Sequence, residues 1–324
     1  MTPKEQAAPR NRTLTLTDDE RLALRPSISQ LSPSPQGFIR LPIDIPTEGG
    51  RLYCADLLDI IDLIPDGVAD LIIIDPPYNL TRDFGEMKFN ARTTAKYEEY
   101  LRTWFHRVCL KLSPRGTLYM CGDWRCTSSL QRVMEEELTI LNRITWQREK
   151  GRGALSNWKN AMEDIWMAVR NPRDYTFNVD AVMQRRRVIA PYRNADGAPK
   201  DWEDTEDGKF RTTYPSNFWD DMTVPFWSMP ENTDHPTQKP EKLYAKLILA
   251  SSCPGDLVFD PFMGSGTACV VAQKLGRRYL GVEINEEYCL WAAKRLAMAQ
   301  QDNSIQGYDS GVFWERNSGI TKRK

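Results

Sequence analysis

The chain has 324 residues, 41% of them hydrophobic and 27% charged, with a formal net charge of −1. That length suits one large α/β core with a small insert, and the near-neutral charge excludes a globally basic footprint on nucleic acid. No apolar run reaches membrane-spanning length, and the amino terminus lacks a signal-peptide core.

Seven scattered cysteines with no Cys-x-x-Cys pair, and two histidines (His106 and His235), point to reduced thiols in a cytoplasm and to no metal site. In chain order, residues 1–40 are polar, carry prolines and serines, and show no periodicity, so they read as a mobile arm. Residues 51–56 form a strand closing on Asp56. The run Leu71-Ile72-Ile73-Ile74 then reads as a strand buried on both faces, as in a parallel sheet. It stops at Asp75-Pro76-Pro77-Tyr78. The prolines cannot donate ladder hydrogen bonds and stiffen the exit from the sheet. Asp75 and Tyr78 are thereby presented on a rigid turn at the carboxyl end of a strand, where open α/β sheets place their sites. A carboxylate beside a flat ring suits a planar substrate with an N–H donor, such as a nucleobase.

The loop at 82–94 follows, placed to close over such a base. Helical spacing marks residues 97–112 and 127–138, with a strand at 117–121 between them. Strands at 140–147 and 163–170 are expected to pair antiparallel at one edge, with Trp146 and Trp158 packing. Positive charge is local: Arg143, Arg148, Lys150 and Arg152 cluster, as do Arg185, Arg186 and Arg187, which suggests a basic cleft on a near-neutral body. Residues 180–231 break the rhythm, and long irregular segments in compact domains are usually functional or disordered. Trp202, Trp219 and Trp227 argue for partial order there.

After a helix at 242–252, residues 256–267 repeat the strand–acid–turn grammar as Asp-Leu-Val-Phe-Asp260-Pro-Phe262-Met-Gly264-Ser265-Gly266-Thr267. The two glycines permit a tight turn and close approach to a ligand. A helix from Thr267 follows, then a strand closing on Glu283 and a helix at 286–298. Glu283 lies about twenty residues beyond the turn, where Rossmann-like folds keep an acid for ribose hydroxyls. The turn lacks the third glycine of the dinucleotide fingerprint, and no phosphate loop occurs. A ligand with ribose and base but no polyphosphate is favoured. S-adenosyl-L-methionine fits, with its ammonium against a carboxylate and its adenine on an apolar face.

Asp75-Pro76-Pro77-Tyr78, the segment Phe259 to Thr267, and His235-Pro236-Thr237-Gln238-Lys239-Pro240 together resemble the motifs of DNA methyltransferases acting on exocyclic amino groups. The catalytic tetrapeptide precedes the glycine turn, an order similar to the circularly permuted β group, including methyltransferases of type II restriction-modification systems. The similarity covers about residues 50–300.

The resemblance implies a Rossmann-like class I methyltransferase fold in the α/β class: a doubly wound, mostly parallel sheet with an antiparallel edge pair. It implies a base flipped from double-stranded DNA, Asp75 and the Pro76 carbonyl accepting its amino N–H groups, Pro77 shaping the turn, and Tyr78 stacking on the ring. Cofactor contacts are implied at Asp56, Leu57, Asp75, His235, Lys239, Asp260, Phe262, Gly264, Ser265, Gly266, Thr267, Glu283 and Ile284. Most relatives carry glycine where Ala55 stands. Lys239 either meets the methionine carboxylate or solvates its loop.

The implied organisation is an arm (1–40), a catalytic half (41–179), a target-recognition insert (180–231), a cofactor-binding half (232–300) and a tail (301–324). Asp at the first tetrapeptide position points to adenine N6, and cytosine N4 stays open. Carbon-5 cytosine chemistry needs a cysteine nucleophile, usually after proline, and Cys253-Pro254 has the reverse order. An RNA or protein-amide methyltransferase and a silent recognition subunit are weaker alternatives. A homodimer and a companion restriction endonuclease are partners the family admits.

Overall fold

The computed structural model describes residues 11–30, 43–83, 88–148, 156–189, 191–206, 208–226 and 228–315. The first half runs α1 (Asp18–Leu24), β1 (Ile28–Gln30), β2 (Gly50–Cys54), α2 (Leu57–Ile60) and β3 (Ala69–Ile74). A short ladder of β4 (Arg82–Asp83) and β5 (Lys88–Phe89) leads into α3 (Thr94–Lys111), β6 (Leu112–Gly122) and α4 (Thr127–Glu135). Then come β7 (Thr139–Gln147) and β8 (Met162–Val169), followed by β9 (Gln184–Arg187), β10 (Glu203–Thr205), β11 (Gly208–Thr213) and β12 (Phe218–Trp219). The last part is α5 (Glu241–Ser251), β13 (Leu257–Asp260), α6 (Thr267–Lys274), β14 (Arg278–Glu283), α7 (Glu286–Ala299), β15 (Tyr308–Asp309) and β16 (Val312–Trp314).

The main sheet has the order β1-β2-β14-β13-β3-β6-β8-β7-β12. Its first six strands are mutually parallel, and β8 is antiparallel to both neighbours. This is the expected doubly wound, Rossmann-like sheet with an antiparallel pair toward one edge, which β12 extends beyond β7. The alternation of β3 explains why its sequence is uniformly apolar. Leu71 and Ile73 pack with the α5, α6 and α7 side, whereas Ile72 and Ile74 pack with α3 and α4. A parallel strand covered by helices on both faces has no polar side.

The permuted order has a geometric result. β3, early in the chain, lies beside β13, late in the chain, so the direction of winding reverses between them. Ligands bind in the crevice outside the carboxyl ends of the strands at such a switch point. Four adjacent parallel strands each finish at or just before an acid on that edge. These are Asp56 after β2, Glu283 on β14, Asp260 on β13 and Asp75 after β3.

Three expectations need correction. Residues 18–30 are not a featureless arm. Thr17 and Glu20 form a capping box on α1, α1 joins α7 through Arg21–Glu287 and Lys294–Glu20 ion pairs, and β1 adds a strand to the sheet. Residues 1–10 and 31–42 lie outside the described residues. Trp158 does not pack: it is 94% exposed, whereas Trp146 is fully buried. Finally, the tail and the insert are not separate, because β10-β11-β9-β16-β15 form one five-stranded sheet.

The basic clusters are largely neutralised. Arg148 pairs with Glu163, Arg185 with Glu203 and Arg186 with Glu315. Arg143 sits 3.7 Å from Asp164. Lys150, Arg152 and Trp227 lie outside the described residues, as do 84–87 of the loop after the tetrapeptide.

Candidate active site

A cavity of about 300 Å³ opens along the four acid-tipped strand ends. Every residue nominated from the sequence lines it except Gly266. The rigid tetrapeptide is held from behind: the Tyr97 hydroxyl of α3 donates to the Pro77 carbonyl at 3.0 Å. Asn79, just past it, exchanges two hydrogen bonds with the backbone of Arg92, at 2.9 and 2.7 Å.

Asp75 is embedded in charge. Its Oδ2 accepts from Lys239 Nζ at 2.5 Å, and its Oδ1 lies 2.8 Å from the Tyr78 hydroxyl. That hydroxyl is also 3.1 Å from Glu163 Oε2. Lys239 Nζ in turn sits 3.4 Å from the same Glu163 oxygen, and Arg148 closes the cluster on Oε1. Burial would push the Lys239 ammonium toward deprotonation, but Asp75 and Glu163 outweigh it and raise its pKa, so it stays charged. Burial, then the two carboxylates, push the Tyr78 phenol well above its ordinary value, so it remains a neutral donor. Lys239 therefore does not solvate its loop; it is 5% exposed and salt-bridged to the tetrapeptide.

The resemblance places residues 157–163 in part of the base pocket without assigning roles there, and Glu163 is the one that reaches the tetrapeptide. It is 3% exposed at the start of β8, in phase with buried Ile165 and Met167. An acid in step with the apolar side of a strand was the available signal, because charged groups are almost never buried unpaired.

The other end of the cavity is built around the glycine turn. Asp260, 2% exposed, accepts the Phe262 N–H at 3.1 Å, and burial first, then Asp75 and Glu283, raise its pKa well above the carboxylate range. Phe262 is fixed edge-on against Trp104 of α3, with ring centres 4.9 Å apart. Glu283 is likewise raised by burial. His235 stacks edge-on with Tyr288 at 4.5 Å.

The two glycines meet protein first. A Cβ on Gly264 would reach His235 Nε2 at 2.8 Å, and one on Gly266 would reach the Ala292 Cβ at 2.5 Å. Gly266 thus seats α6 on α7. Ser265 and Thr267 receive Arg295 from α7 at 2.9 and 3.0 Å. Asp56 caps α2 through Leu58 N at 2.8 Å, leaving Leu57 buried and Ile284 40% exposed at the rim.

A carboxylate-tipped switch point with a glycine turn on one side and Asp-Pro-Pro-Tyr on the other defines a nucleoside-cofactor enzyme acting on a planar amine. Residues 69–295 match the N6/N4 DNA methylase family, and the chain belongs to it. It is 34% identical over 262 residues to the type II methyltransferase M.HpaI of Haemophilus parainfluenzae, covering 80% of this chain and 76% of that one. It is 32% identical over 268 residues to the DNA adenine methyltransferase YhdJ of Escherichia coli K12, covering 80% and 86%. Among solved structures, the cytosine-N4-specific PvuII DNA methyltransferase shares the fold with a TM-score of 0.58 at 17% identity, over 82% of this chain and 89% of that one.

Proposed function

We propose that the chain is a site-specific DNA methyltransferase that uses S-adenosyl-L-methionine to methylate N6 of an adenine flipped from the duplex. The observation that carries this reading is Asp75 Oδ1, which meets a single-proton donor, the Tyr78 hydroxyl, in the same cavity as Asp260 and Glu283. The donor set fits the cofactor: buried Asp260 suits a cationic group, Glu283 suits ribose hydroxyls, and Phe262 with Ile284 offers an apolar wall to adenine. When bound, it supplies an electrophilic methyl group.

The protein's own task is to make a poor nucleophile reactive. The exocyclic amine is conjugated with its ring. Asp75 Oδ1 and the Pro76 carbonyl accept its two N–H groups and turn the lone pair out of the ring, so orientation and preorganised electrostatics supply the rate. Tyr78 stacks on the extruded base, worth ~1–3 kcal/mol by comparison with single-strand stacking platforms. Asp75 takes the proton once the nitrogen carries its methyl group. Residues 180–231 are assigned to sequence recognition, in a cytoplasmic enzyme.

The test is incubation of purified protein with labelled S-adenosylmethionine and unmethylated genomic DNA, followed by nucleoside mass spectrometry. N6-methyladenine is expected, and Asp75→Ala should abolish it while retaining cofactor and DNA binding. N4-methylcytosine would correct the base. No methylated nucleoside, with cofactor bound, would overturn the DNA reading in favour of RNA.

A further inference from the structure

Lys239 and Glu163 surround the tetrapeptide but have no part in the steps above. The Tyr78 hydroxyl occupies the acceptor that the substrate amine needs, 2.8 Å from Asp75 Oδ1. One phenolic proton serves one acceptor at a time. Glu163 Oε2, at 3.1 Å, is a second acceptor already within reach. Its other oxygen is held by Arg148, so it is fixed in place. Lys239 Nζ bonds Asp75 Oδ2 at 2.5 Å, on the oxygen away from the tyrosine. The charges balance, with Lys239 and Arg148 facing Asp75 and Glu163 in a site where all but Arg148 are at least four-fifths buried.

We propose that Lys239 and Glu163 are positioning residues for methyl transfer. Lys239 locks the Asp75 carboxylate with Oδ1 turned to the incoming amine, and Glu163 takes over the Tyr78 hydroxyl when that amine arrives. Without Glu163 the hydroxyl either keeps blocking Oδ1 or is left unpaired in a buried site, which is costly. Without Lys239 the carboxylate is free to rotate, and misplacement of this kind is amplified in rate. The inference rests on the reading of Asp75 as the amine's acceptor.

The test uses full-length protein and single-turnover methylation of duplex DNA at saturating cofactor, with thermal melting as a check on folding. Glu163→Ala should slow the step about 10-fold or more, the equivalent of one unsatisfied buried hydrogen bond. Adding Tyr78→Phe, which removes the competing hydroxyl, should restore the double variant to within about 3-fold of Tyr78→Phe alone. A purely structural role for Glu163 predicts no such rescue, and its absence overturns the proposal. Should Glu163→Ala not fold, Glu163→Met with and without Tyr78→Phe asks the same question.

Lys239→Met should slow the step about 100-fold with cofactor Kd little changed. A large loss of cofactor affinity with a normal rate at saturation would instead make Lys239 a cofactor ligand and overturn its assignment. Asp75→Asn runs in parallel: if it stays active, the reading of Asp75 itself fails, whatever the other variants do.

Discussion

The Glu283 carboxylate accepts a hydrogen bond from the Gly264 backbone N–H at 3.0 Å, so the acid that closes β14 braces the turn that follows β13. Its second oxygen accepts the Asn285 N–H at 2.9 Å. The same group thus organises the turn from below and presents free lone pairs to the cavity. Glu283→Ala leaves both amides short of an acceptor and should cost about 1–3 kcal/mol of stability. Cofactor affinity should fall more steeply than thermal stability, which calorimetric titration and melting together would show.

Gly266 lies at φ +76°, a region side-chain-bearing residues avoid, and a Cβ there would meet Ala292 of α7 at 2.5 Å. Gly266→Ala should therefore destabilise the protein by at least about 1–3 kcal/mol. Adding Ala292→Gly should relieve the contact with the Ala292 Cβ but not that with its Cα at 3.1 Å, and Ala292→Gly alone, which costs about 1 kcal/mol inside α7, is the control. Melting temperatures of the three variants separate the contributions.

Glu231 provides a pH test away from the catalytic cluster. Burial and then the neighbouring charge of Glu241 push its pKa up to about 7 from 4.5. A folded-state value above the unfolded one means that the native protein holds a proton which the unfolded chain has released. Stability therefore falls as pH rises from about 4.5 to about 7, and the penalty is complete above that. Glu231→Gln keeps an acceptor for the Glu241 N–H and removes the charge. It should stabilise the protein by on the order of 2 kcal/mol at pH 8 and change little at pH 4, as read by denaturant unfolding at the two values.

Trp146 on β7 and Trp158, shortly before β8, should behave oppositely. Trp146 is fully buried and donates to the Met222 carbonyl at 3.1 Å, so Trp146→Ala should cost about 3–5 kcal/mol. Trp158→Ala should leave stability within about 0.5 kcal/mol of the parent. Denaturant midpoints check both.

Much of this was readable in advance where local chemistry decides. The Leu71–Ile74 run, the acid at its end and the glycine turn each announce their structure through a few adjacent residues, and in the structure all meet at one strand edge. Residues 18–30 escaped because a seven-residue helix and a three-residue strand are too short to show a period; the capping box of Thr17 and Glu20 was the sign to follow. Lys239 and Glu163 are 76 residues apart in sequence, and only tertiary folding shows that they share a carboxylate neighbour. The role of Gly266 was likewise hidden, since a turn glycine looks the same whether a ligand or a helix approaches it.

The small sheet is stitched from distant pieces. β9 of the insert takes β16 as a parallel neighbour, with Gln184 opposite Phe313 and Arg185 opposite Trp314. Lys242 of α5 ties β16 to the segment after β12 by donating to the Trp314 carbonyl and to Asp221, each at 2.6 Å. A region built this way cannot be inherited as one contiguous cassette. Recombination that exchanged residues 180–231 alone would set β16 beside a foreign strand in place of β9 and leave Lys242 without Asp221. Whatever that sheet does must travel with residues 308–314, which ties any exchange of residues 180–231 to a part of the gene about eighty codons beyond their end.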